Sequence, residues 1–79
     1  MELEKHERII FRKKGWRLSM VPYNYVVVHG EEKTFWTTID NAIRWINHNS
    51  NMSLDELRVL TKRCPTRPYR TELEVIRRS

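Results

Sequence analysis

The sequence predicts a small α+β fold: an antiparallel sheet of three or four strands packed against a helix and followed by one or two further short helices. Three observations carry this prediction. Strand-like runs fill residues 8–37, helical periodicity takes over near residue 38, and the two patterns do not alternate as βαβ units would. The chain has 79 residues. A single domain of that size buries about 60% of the surface its unfolded form exposes, so one small core is expected and no second lobe.

Residues 1–7 read as a mobile N-terminus. Ile9-Ile10-Phe11-Arg12-Lys13 is an apolar-to-basic strand that stops at Lys14-Gly15, a natural turn. Trp16, Leu18 and Met20 alternate with Arg17 and Ser19, the period of a half-buried strand, and Val21-Pro22 ends it. Tyr25-Val26-Val27-Val28-His29 is rich in aromatic and β-branched residues and reads as a central strand. Its apolar run has two apolar sides, so the pattern leaves open which side faces inward. Lys33-Thr34-Phe35-Trp36-Thr37 follows as its hairpin partner, with a loop of about three residues and a bulged turn at Gly30.

Ile39, Ala42, Ile43 and Ile46 then recur at helical spacing, with Asp40, Asn41, Arg44 and Asn47 turned away, which predicts a helix over 38–48. Thr37-Thr38-Ile39-Asp40 supplies its start, since a threonine oxygen can accept from free backbone N–H groups. Ser53-Leu54-Asp55-Glu56 is a capping box, Met52 and Leu57 form its hydrophobic staple, and a helix over 54–63 follows with Leu54, Leu57, Leu60 and Val59 inward and Cys64-Pro65 as its stop. Thr71-Glu72-Leu73-Glu74 opens a short helix over 72–78. The organisation is thus a single domain over 1–79, with sheet at 8–37, helices at 38–63 and a basic segment at 64–79.

Composition excludes several classes of function. At 39% hydrophobic and 32% charged, the chain is too apolar for a disordered tail and too interrupted for a membrane span. Its one cysteine, Cys64, cannot close an internal disulfide, and Met1-Glu2-Leu3-Glu4-Lys5 lacks the start of a secretion signal, so a cytoplasmic location is expected. His6, His29, His48 and Cys64 stand far apart without the paired spacing of a metal site. The two glycines, Gly15 and Gly30, make no phosphate loop, and no nucleophile and base pair can be nominated. No enzyme, cofactor, metal or small-molecule substrate is expected.

Charge is the informative feature. The formal net charge is +5, and its excess falls in two blocks. Residues 8–17 hold Arg8, Arg12, Lys13, Lys14 and Arg17 without an acid, and residues 58–79 hold seven cations against Glu72 and Glu74. Arg58, Lys62 and Arg63 are explained by the negative end of their helix, whereas Arg67, Arg70, Arg77 and Arg78 are not. Basic side chains beside an aromatic ring have the chemistry to hold phosphates and to press on sugar or base. The expected contact residues are therefore Arg12, Lys13, Lys14, Trp16, Arg17, Trp36, Arg67, Arg70, Arg77 and Arg78, with Trp36 included because it neighbours Phe35 on a strand and one of the two must leave the covered face.

The function expected from these residues is that of a small basic DNA-binding accessory or regulatory domain without catalysis, its partner nucleic acid in the form of duplex DNA. The alternative is a small inhibitor or adaptor, of the kind supplied by phages and mobile elements, that docks on an acidic protein surface through exposed aromatics and arginines. Single-stranded RNA binding lacks a recognisable signature here. Either 9–13 or 16–20 is a sheet edge open to a second copy unless its charges prevent pairing.

Overall fold

The structure, a computed structural model, describes residues 6–62. Four strands, β1 (Arg8–Lys13), β2 (Trp16–Val21), β3 (Asn24–His29) and β4 (Glu32–Trp36), precede two helices, α1 (Ile39–Asn49) and α2 (Leu54–Leu60). The strands form one open antiparallel sheet in the order β1-β2-β3-β4. This is the predicted α+β architecture, with four strands rather than three. The predicted helix over 72–78 lies outside the described residues, as do Cys64 and the four arginines after it.

Two-residue turns set the register. Lys14 and Gly15 both have positive φ, +52° and +83°, as a type I′ turn requires, and they place Lys13 opposite Trp16. Gly30, at φ +60°, opens a second two-residue turn that pairs His29 with Glu32. The expected three-residue bulged loop is thus corrected: glycine at the first central position closes a tight hairpin directly. The bulge lies instead in β1, where pairing steps from Ile9 with Ser19 to Phe11 with Leu18. Ile10 is the extra residue, and the shift lets both Ile10 and Phe11 reach the core.

Between β2 and β3, Pro22 and Tyr23 make the third turn, with Tyr23 at φ +71°. Proline followed by positive φ is the type II pattern, whose second position favours glycine or asparagine over a residue with a bulky Cβ substituent. Tyr23 is also 63% exposed, so its ring returns little burial for that conformation. Replacing Tyr23 with Gly is expected to stabilise the domain by about 0.5–1 kcal/mol and raise Tm by several degrees, checked by thermal unfolding. An unchanged or lower Tm would show that the tyrosine ring holds the turn.

Alternation along the central strands fills both faces. Trp16, Leu18 and Met20 share one face with Phe11, Tyr25 and Val27, and these pack with Ala42, Ile43 and Ile46 of α1 and with Met52 and Leu57. On the opposite face Val21, Val26 and Val28 form a separate buried cluster. Both helices therefore lie on the first face, which answers the question of side that the valine run left open. The cause is the staple: Met52 and Leu57, 1% and 0% exposed, bury against α1 and turn α2 to run beside it.

The helix starts follow the sequence closely. Thr38 caps α1 by accepting from the N–H of Asn41 at 3.2 Å, and Ser53 caps α2 by accepting from the N–H of Glu56 at 3.1 Å. The α2 end does not. It ends at Leu60, ahead of the expected stop at Cys64-Pro65, where Thr61 leaves helical geometry at φ −107° and ψ 10° and also donates its hydroxyl to the carbonyl of Leu57 at 2.9 Å. Val59, read as inward, is 72% exposed, since the short helix buries only the Leu57 side. Asn47, read as turned away, donates from Nδ2 to the carbonyl of Met52 at 2.8 Å and ties α1 to the connector.

Candidate nucleic-acid interface

The β1–β2 hairpin carries the first basic block, and the fold divides its members sharply. Arg12 and Lys14 are exposed, and neither makes an ion pair with another described residue. Lys13 instead reaches across to α2 and pairs with Glu56. Arg17 sits on the valine face with its side chain only 11% exposed, and its Nε lies 3.1 Å from Glu7 Oε2. The same carboxylate oxygen accepts from the Ser19 hydroxyl at 2.5 Å. The Nε proton of Arg17 is not aligned on the carboxylate, and its buried Nη2 has no acceptor among the described residues.

Arg17 is accordingly a structural residue, not the exposed contact that its place in the basic block predicted. The reason is positional: strand alternation sends it to the valine face, where Glu7 meets it. Glu7, the last residue of the segment read as a mobile N-terminus, has its side chain fully buried against Arg17 and Ser19. A buried carboxylate with two such partners is a fixed point in the structure.

Trp16 is likewise not a free ring. It is 5% exposed and lies in the core. Register places it opposite His29, and the two rings stack with centroids 4.0 Å apart and planes 6° from parallel. The accessible ring at this end of the sheet is therefore His29, an exposed residue that the sequence reading assigned only to a strand end. At the other edge Trp36 is half-buried, packed at 5.7 Å on Trp45 of α1 and donating from Nε1 to Thr34 Oγ1 at 2.8 Å. Its neighbour Phe35 takes the uncovered side and is 51% exposed. The choice of Trp36 as the outward aromatic is reversed for that reason.

An open cleft of about 450 Å³ lies beside the hairpin tip, lined by Lys14, Trp16, His29, His48, Asn49, Ser50 and Asn51. Its helical wall is held by Asn49, whose Nδ2 donates to the carbonyl of Trp45 at 2.9 Å, and by Ser50, whose hydroxyl accepts from the N–H of Met52 at 3.2 Å. Among the described residues there is no group of three or more metal-binding side chains, and no helix is long and apolar enough to cross a membrane.

The Lys13–Glu56 pair also gives the hairpin a pH dependence. The Glu56 carboxyl is held below its ordinary 4.5, chiefly by the hydrogen bond from Lys13, against desolvation, with the charges of Lys13 and Lys14 adding to the effect. A lowered folded-state value means the pair stabilises the fold above the ordinary value and loses that contribution as pH falls through the lowered one. Glu56→Gln is therefore expected to lower Tm at neutral pH, and the gap to the native chain should close as pH drops below 4.5. A gap of constant size across that range would show that the charge contributes nothing. The chain matches no protein-family model, no curated protein and no solved structure.

Proposed function

We propose that this domain binds nucleic acid, with duplex DNA as the partner, through the β1–β2 hairpin, without catalysis and in the cytoplasm. One observation supports the reading most directly. Arg12 and Lys14 stand exposed on a tight turn and its edge strand, and neither makes an ion pair with a described carboxylate. Two-stranded ribbons of this width enter a major groove, and unpaired cations on them exchange for the counterions of the phosphate backbone.

The hairpin supplies few cations, so the affinity is modest and strongly dependent on salt. For two phosphate contacts the salt slope is about −1.8, and affinity falls roughly 12-fold between about 50 and 200 mM salt. Fluorescence anisotropy with a labelled random duplex at both concentrations tests this. An absence of binding at the lower salt would remove the reading.

Phe35 favours a second reading. It is a large apolar side chain left 51% exposed on an edge strand, the residue type that anchors protein interfaces. A chain that ignores duplex DNA but retains a protein partner after nuclease treatment would be the small adaptor that this surface suits.

A further inference from the structure

We infer that the cleft beside the hairpin tip seats one unpaired nucleotide, with its base on the outer face of His29 and its phosphate at Lys14. The inference rests on the nucleic-acid reading above and names the strand form that this second surface takes. His29 is exposed and has one ring face occupied by Trp16, at 4.0 Å and 6° from parallel, so the face left for a base is the opposite one. Trp16 is buried and backs the imidazole, which fixes the plane a base would lie on.

The turn keeps that plane accessible. A Cβ on Gly15 would stand 3.8 Å from His29 Cδ2 and 4.0 Å from Nε2, so glycine leaves the ring edge uncovered where any side chain would lie against it. Lys14 lines the same cleft and supplies a cation for the phosphate. The opposite wall offers polar groups for a base edge: His48, and Asn51, whose side chain makes no hydrogen bond to another described residue. The volume, about 450 Å³, falls in the range of small-ligand sites, about 300–1,000 Å³. A base paired inside a duplex keeps both faces in the stack and cannot reach this ring, whereas a single strand offers every base.

The experiment compares anisotropy titrations of the full chain with a labelled single-stranded deoxyoligonucleotide and with a blunt duplex of equal length. His29→Leu keeps apolar cover on Trp16 but removes the ring, and His29→Phe restores one. Stacking on one aromatic side chain makes His29→Leu bind the single strand roughly 5- to 150-fold more weakly. Duplex binding stays unchanged, and His29→Phe recovers the single strand to within a few-fold. Equal losses on both probes, or no loss on the single strand, would overturn the nucleotide seat while leaving the hairpin reading standing. Failure of the native chain to bind either probe would sink both.

Discussion

Glu7→Ala is expected to destabilise the domain by about 3–5 kcal/mol, because it strands the Arg17 guanidinium without its counter-charge in a site where only 11% of the side chain meets water. Folded domains of this size hold on the order of 4–12 kcal/mol in total, so much of the population would unfold at room temperature. Urea unfolding followed by circular dichroism measures the loss. The Ser19 hydroxyl, which donates to Glu7 at 2.5 Å, loses its acceptor in the same substitution and adds to the cost. Glu7→Leu combined with Arg17→Met removes both charges together and should return stability close to that of the native chain. A single Glu7→Ala that costs less than about 1 kcal/mol would mean that water reaches this pair freely, and Arg17 would return to the set of candidate contacts.

Arg12→Glu combined with Lys14→Glu should lower duplex affinity by about two orders of magnitude at low salt, since two phosphate contacts are lost and two repulsions are gained. The same change should not weaken the fold. Arg12 lies directly opposite Arg17 across the β1–β2 ladder, a like-charge pair that costs stability, and glutamate there converts repulsion into attraction. The expected signature is thus a Tm equal to or above that of the native chain together with lost binding. Arg44→Glu with Arg58→Glu, both on helix surfaces, provides a control with the same net charge. Equal loss in the control would show that overall charge, not the hairpin, governs association.

Most of the fold was legible because its signals are local. Ser53 through Glu56 reads as a capping box without knowledge of any distant residue, and Thr38, Gly15 and Gly30 announce their roles in the same way. The faces were harder to read, because they depend on register. A three-residue loop after His29 would have shifted β4 by one position and exchanged Phe35 for Trp36; the two-residue turn sets Tyr25 opposite Trp36 instead. Val26 and Val28 gave no help, since valine fills either face equally well.

The site was less legible, for a reason of its own. Arg12 and Arg17 are chemically identical in a sequence, and what separates them is a carboxylate arriving from Glu7, ahead of the first strand. His29 was missed as a ring surface because its stack on Trp16 exists only once β2 and β3 are aligned. The signal that could have found it is the Lys14-Gly15 pair followed directly by an aromatic residue, which marks the position whose cross-strand neighbour will share its face.

Every ladder in this sheet joins strands that are consecutive along the chain, through connections of two residues. Closing such short loops forfeits little chain entropy, so each pairing can form before any distant segment has found its place. Assembly of the sheet then amounts to zipping one ribbon after another, and the slow search that burdens barrels and sandwiches is avoided. A domain organised this way reaches its native pairing quickly and spends little time with unpaired strands open to its neighbours.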